Sequence, residues 1–87
     1  MSYTITYKHS VVEDDIPALD VAMAKRIEAV IRNKLGSDPI RFGKPLQYDW
    51  AGARSLRVGD YRVIYDLNIR TKTVLVLAIG HRRDIYD

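Results

Sequence analysis

Leu56-Arg-Val-Gly-Asp-Tyr-Arg-Val-Ile-Tyr65 is the segment on which the reading of this 87-residue chain turns. Leu56 and Val58 share one face of an extended run, Gly59-Asp60 interrupts it, and from Tyr61 to Leu67 the alternation resumes. Tyr61, Val63, Tyr65 and Leu67 read as the core-facing set, with Arg62, Ile64 and Asp66 on the other face. Downstream, Asn68 to Thr71 is a polar turn. Thr73 to Ile79 is a near-continuous apolar run, which suits a central strand covered on both faces. Turns this short join antiparallel neighbours, because a parallel crossover needs about a dozen residues or more.

Upstream, residues 2–7 alternate as a strand with Tyr3, Ile5 and Tyr7 on one face. Ser10-Val-Val-Glu13 has the pattern of a capping box, and it places Glu13, Asp14 and Asp15 in the first turn of a helix that Pro17 limits. Asp20 is suited to cap a longer helix reaching Leu35. Its apolar stripe is Met23, Ile27, Val30, Ile31 and Leu35, with Lys25, Glu28 and Arg32 toward solvent. Gly36 is expected to close that helix in a left-handed cap, and Asp38-Pro39 to prevent continuation. From Ser37 to Ala53 periodicity is lost, in a loop or short helical turn that carries Arg41, Lys44 and Trp50. Trp50 is read as a core anchor, with closure over a groove as the alternative. The expected architecture is α+β, a single domain over residues 1–87. Two N-terminal helices pack on one face of a small antiparallel sheet, and the other face is partly bare.

Apolar residues make up 47% of the chain, as in a folded domain, and cysteine is absent, so neither disulfides nor thiolate ligands hold it together. The N-terminus lacks the features of a signal peptide and no window resembles a membrane span, so a cytoplasmic location without membrane contact is expected. The net charge of +3 is unevenly distributed: residues 21–87 hold thirteen of the fourteen Lys and Arg but seven of the eleven acids. Such a field suits nucleic acid or an acidic protein, with ordinary surface solvation as the bland alternative.

In the last strand Val74, Val76, Ala78 and Gly80 share a face by parity, and Arg82 joins it if the extended geometry continues. If that face is also Arg62's, two guanidiniums stand over a shallow floor. That arrangement suits a phosphodiester, whose oxygens a planar guanidinium holds in a fork and whose transition-state charge it stabilises. RNA brings its own nucleophile, the 2′-hydroxyl, so alignment alone needs no metal. Tyr86 and His81 are the candidate proton donors, and titration near neutrality nominates His81. Against this, Arg62 can pair with Asp60 or Asp66, Arg82 and Arg83 with Asp84 and Asp87, and Tyr86 can simply dock the chain end. Metal-ligand spacing, a nucleophile elbow and a phosphate-binding glycine loop are all missing from the sequence, so neither metal nor cofactor is expected.

Leu35 to Pro39, Gly43-Lys-Pro-Leu46, Leu56 to Tyr65 and Ala78-Ile-Gly-His-Arg-Arg-Asp-Ile-Tyr86 together carry a resemblance. Over nearly its full length the chain resembles the RelE/ParE superfamily of toxin–antitoxin toxins, nearest its RelE-like branch. The resemblance implies the α+β fold above, a cognate antitoxin, and a complex that represses its own operator DNA. It also implies metal-independent cleavage of messenger RNA on the ribosome by 2′-hydroxyl attack. Carried over by motif, Arg62, Arg82 and Tyr86 are the catalytic set, which displaces His81 as the proton donor. Lys44, Arg54, Arg57, His81 and Arg83 are then expected to hold RNA phosphates. Two departures stand out. Where well-studied relatives place two lysines, this chain has Ala53 and Ser55, and the segment from Arg82 to Tyr86 is two residues shorter. A gyrase-poisoning toxin of the ParE branch is the alternative, as is a non-catalytic homologue acting in antitoxin-bound repression.

Overall fold

β4 (Tyr61–Asn68) and β5 (Thr73–His81) form the middle of a five-stranded sheet in a computed structural model that describes residues 2–85. The strand order is β1-β5-β4-β3-β2, with β1 at Thr4–Tyr7, β2 at Lys44–Pro45 and β3 at Arg54–Val58. β3 and β4 are joined by the tight turn Gly59-Asp60, in which Gly59 takes φ +60°, a conformation that costs glycine little. The next turn is closed by Asn68, whose Oδ1 accepts from the Thr71 amide at 3.0 Å.

β2 to β5 pair antiparallel as expected, but β1 lies parallel to β5, from Thr4 opposite Thr73 to Tyr7 opposite Val76. The sheet is therefore mixed. Short turns constrain only strands adjacent in sequence, and β1 reaches β5 from the far end of the chain.

The helical layer is built on α1 (Val21–Val30), whose first turn is capped by Asp20 accepting from the Met23 amide at 2.7 Å. The helix runs on through Ile31–Leu35, where it widens, so that the Gly36 amide reaches the Ile31 carbonyl at 3.2 Å. Ile27, Ile31 and Leu35 are fully buried against Leu56, Val58, Val63, Tyr65, Val74 and Val76. Each such side chain contributes about 1.5–3 kcal/mol on leaving water.

Two helix-end expectations are corrected. Gly36 is right-handed (φ −68°), not a left-handed cap. A β-carbon there would collide with the Arg32 carbonyl oxygen, so close packing within the widened turn calls for glycine, not a special φ. The Gly36 carbonyl also takes the Tyr3 amide at 2.7 Å, joining the helix end to the start of β1. Ser10 makes no capping bond, because helical geometry has already begun at His9 and Ser10 is itself helical (φ −63°, ψ −27°). Glu13 instead meets His9, with Oε1 3.0 Å from Nε2.

The first helical turn, Val11–Asp15, stops before Pro17 as expected. Its last residue has a role that the sequence does not show. β5 outruns β1 beyond Val76, and Asp15 Oδ2 accepts from the Ile79 amide at 2.9 Å, taking the place of a strand neighbour.

A bulge corrects the expected face of β5. Ala78 lies opposite Ile64 and Gly80 opposite Arg62, but Val76 lies opposite Tyr65 and Val74 opposite Leu67. Leu77 is the extra residue. Val74 and Val76 thus join the helix-side core, while Ala78 and Gly80 stay on Arg62's face. That second face carries its own small cluster of Leu46, Ala53 and Ile64, packed by Trp50, Leu77, Ala78 and Ile85. Trp50 anchors this cluster and takes no part in the helix-side core.

Candidate functional site

Parity on β3 and β4 decides which basic side chains converge. Arg57 stands directly opposite Arg62, and Arg62 directly opposite Gly80. Side chains facing each other across an antiparallel pair have their β-carbons about 4.5–5.5 Å apart, and like charges placed there are destabilising. Arg57 Nε is held by the Gly59 carbonyl at 3.1 Å, which fixes its stem beside Arg62. On the far side of β3, Lys44 stands opposite Ser55. Lys44, Ser55, Arg57 and Arg62 line one open cleft of about 450 Å³, which extends to Lys34 and Phe42 from the helical layer. None of the described residues lining it is Asp or Glu. Lys34 and Phe42 escaped the sequence reading. Lys34 looks like an ordinary solvent-facing helical lysine, and Phe42 sits in a stretch without periodicity.

Arg54, expected to hold RNA, belongs elsewhere. It shares parity with Leu56 and Val58, not with Ser55 and Arg57. Its Nη2 donates to the carbonyls of Ile40 (2.6 Å) and Gly43 (2.7 Å). Beside it the fully buried Tyr65 donates its hydroxyl to the Pro39 carbonyl at 2.6 Å. Burial pushes the Tyr65 phenol above its ordinary value, with the neighbouring Arg54 opposing that shift. Together these two side chains pin the short helix α2 (Pro39–Phe42), whose start is capped by Asp38 accepting from the Arg41 amide at 3.2 Å. Gly43 is required here, because a β-carbon would strike the Tyr65 hydroxyl.

His81 is also separated from Arg62. It pairs with Tyr61 on the helix-side parity, meeting that ring edge-on with centroids 5.3 Å apart. Its Nδ1 accepts from the Arg83 amide at 3.1 Å, so the ring shapes the turn after β5. It lines a different hollow with Asp14, Asp15 and Asp84, an acidic setting unsuited to phosphate. Arg82 continues the ladder: its amide donates to the Asp60 carbonyl at 2.8 Å, and its Nε lies 3.9 Å from Asp60 Oδ1. Arg83 is exposed in the same turn, and Tyr86 lies outside the described residues. Ile85 folds back so that its Cδ1 would lie 2.7 Å from a β-carbon on Gly80, which puts the Ile85 side chain against the face that Gly80 shares with Arg62.

Ala53 and Ser55 share the face of Arg57 and Arg62. Ala53 is buried beneath the Trp50 cluster, and Ser55 is half-buried beside Lys44. Where the resemblance expects two lysines, an apolar patch and a hydroxyl stand. Lys44 stands opposite Ser55, one strand away.

A helical layer on one face of such a sheet, with cations gathered on the other, matches the RelE-like architecture of toxin subunits from toxin–antitoxin complexes. The family model described as "ParE toxin of type II toxin-antitoxin system, parDE" matches residues 5–86, and the chain belongs to the RelE/ParE superfamily. Within it the RelE-like branch is the better supported. The toxin RelG of Mycobacterium tuberculosis is 33% identical over 86 residues, covering 99% of this chain and 98% of that protein. Among solved structures, the RelBE2 toxin–antitoxin complex of M. tuberculosis aligns with a TM-score of 0.87 at 29% identity, over 94% of this chain and 100% of its counterpart. The archaeal RelE–RelB complex of Pyrococcus horikoshii aligns at 0.71 and 26% identity, over 94% and 97%.

Proposed function

We propose that this toxin stops translation by cutting messenger RNA on the ribosome, without metal, through attack of the 2′-hydroxyl. The observation that carries the reading is the face-to-face pair Arg57 and Arg62, flanked by Gly80 and Lys44 in a cleft that no acid lines among the described residues. Like charges placed opposite each other across a strand pair cost stability, and an anion seated between the two guanidiniums offsets that cost. Arg62 and Arg57 grip the scissile phosphate and stabilise the charge that builds on pentacoordinate phosphorus. The 2′-oxygen bonds to phosphorus as the 5′-oxygen leaves, giving a 2′,3′-cyclic phosphate. The 2′-hydroxyl proton passes to water, and Tyr86 is assigned to protonate the departing 5′-oxygen. Arg82, whose amide donates to the Asp60 carbonyl beside the β3–β4 turn, is assigned to the same set by motif.

The matched RelBE2 and RelE–RelB structures are toxin–antitoxin complexes, which supports a cognate antitoxin as the partner here. An antitoxin that covers the basic face explains neutralisation, and operator DNA is then met through the complex. The ribosome and messenger RNA place the action in the cytoplasm.

The test is cleavage of ribosome-bound messenger by the parent, Arg62→Ala, Arg82→Ala and Tyr86→Phe. Loss of about 10²–10³ in rate is expected for Arg62→Ala. A parent that remains toxic but cuts no RNA would reject the reading. One observation favours a second: the family model that matches is described as ParE. Accumulation of cleaved DNA–gyrase complexes in expressing cells would select that target instead.

A further inference from the structure

The cleft does not end at Arg62. It continues toward the sheet edge, past Lys44, to Lys34 in the last turn of the long helix and to Phe42 at the end of α2. Phe42 stays 37% exposed although it is large and apolar, and its ring gathers cations from two different elements. Lys34 Nζ lies 5.4 Å from the ring centroid and Arg41 Cζ 5.6 Å, both within the range of cation–π attraction. A lysine in a final helical turn also suits the helix dipole. That explains its place in the sequence but not its convergence with Arg41 on one ring. Nor is this wall loosely hung: Arg54 and Tyr65 fix the carbonyls of Pro39, Ile40 and Gly43, which hold α2 against the sheet.

We infer that this arm of the cleft is a second binding subsite, for the phosphodiester backbone of single-stranded RNA leading away from the phosphate at Arg62. Lys34 and Lys44 contact its phosphates, and Phe42 sets the positions of Lys34 and Arg41. The identity of the ligand rests on the RNA-cleaving reading; the cationic track itself rests on the geometry above. Charge complementarity favours a polyanion, and the cations follow an open cleft of about 450 Å³ along which a single extended backbone can run.

The probe is an RNA carrying a 2′-deoxy residue at the reactive position, so that it binds without being cut, in lengths of about eight and about three nucleotides. Affinity is measured by fluorescence anisotropy across a salt series. Lys34→Ala and Lys44→Ala are each expected to lower the slope of log affinity against log salt by about 0.7 for the longer probe. For the short one, Lys34→Ala should leave the slope unchanged. Phe42→Leu is expected to weaken binding of the long probe several-fold, and Phe42→Tyr, which keeps the ring, to restore it. Parental slopes in Lys34→Ala, or equal binding by Phe42→Leu and Phe42→Tyr, would overturn the inference. So would a polyglutamate peptide that occupies the cleft while the RNA slopes stay parental. If Arg62→Ala leaves toxicity intact while Lys34→Ala still lowers the slope, the cleavage reading fails and the subsite stands.

Discussion

Arg54→Ala separates a structural arginine from the functional ones around it. Two short hydrogen bonds from a charged donor, at 2.6 and 2.7 Å to the Ile40 and Gly43 carbonyls, are lost. Bonds to charged groups contribute about 1.5–3 kcal/mol each. The side chain is half-buried, and its buried Nε has no hydrogen-bond partner, a penalty that alanine relieves. The net loss is therefore about 2–4 kcal/mol. An 87-residue domain has roughly 4–13 kcal/mol in total, so the loss is a large share. Urea unfolding of the free toxin reads it directly. With a slope near 1–1.5 kcal/mol per molar, the midpoint should fall by about 1.3–4 M. RNA binding per folded molecule should stay within about twofold. Tyr65→Phe is expected to cost about 1 kcal/mol and, combined with Arg54→Ala, to show a coupling of at least about 0.5 kcal/mol. An unchanged midpoint together with lost RNA binding would refute the reasoning and return Arg54 to the binding surface.

Stability should also depend on alkaline pH. Burial raises the phenols of Tyr65 and Tyr7, the latter with help from Glu28. The unfolded phenol loses its proton near pH 10 while the folded one keeps it, so this stability is complete below about pH 10 and is lost as pH climbs through the folded values. Melting temperature followed from about pH 8 to 11 should fall at the upper end, and Tyr65→Phe should flatten part of that fall. Gly43→Ala is expected to cost about 1–3 kcal/mol by overpacking against Tyr65, seen as a lower urea midpoint that Tyr65→Phe partly recovers. Arg57→Thr removes a like-charge pair from the sheet, so it should raise stability by about 0.2–1 kcal/mol while weakening RNA binding. A variant that gains neither stability nor an RNA defect would count against the opposed-guanidinium site.

The strands around Leu56 to Leu67 are legible because a period of two survives any context that buries one face. The bulge at Leu77 is not: Leu77 and Ala78 are both apolar, so an inserted residue leaves no mark in the pattern. β2, only Lys44–Pro45, is too short to show a period, and its pairing with β3 is what brings Lys44 to the site. Arg54 and His81 carried a usable signal. Each shares parity with core residues, Arg54 with Leu56 and Val58, His81 with Ile79, and counting by twos would have separated them from Arg62. Their carbonyl and amide partners come from distant segments, and no local pattern encodes those. Lys34 and Phe42 became neighbours only through the packing of α2 on the end of the long helix.

Asp15 bears on what happens to this chain once it is alone. β5 is an interior strand, yet beyond Val76 it has no strand beside it on the β1 side among the described residues, and an open stretch of edge invites another chain to pair with it. One carboxylate on the Ile79 amide closes that edge. On the reading proposed here the toxin acts only after its antitoxin has gone, when any edge it exposes is at greatest risk of self-association. On that reading Asp15 guards the interval between release and action, because it keeps the Ile79 amide occupied and unavailable to a second strand.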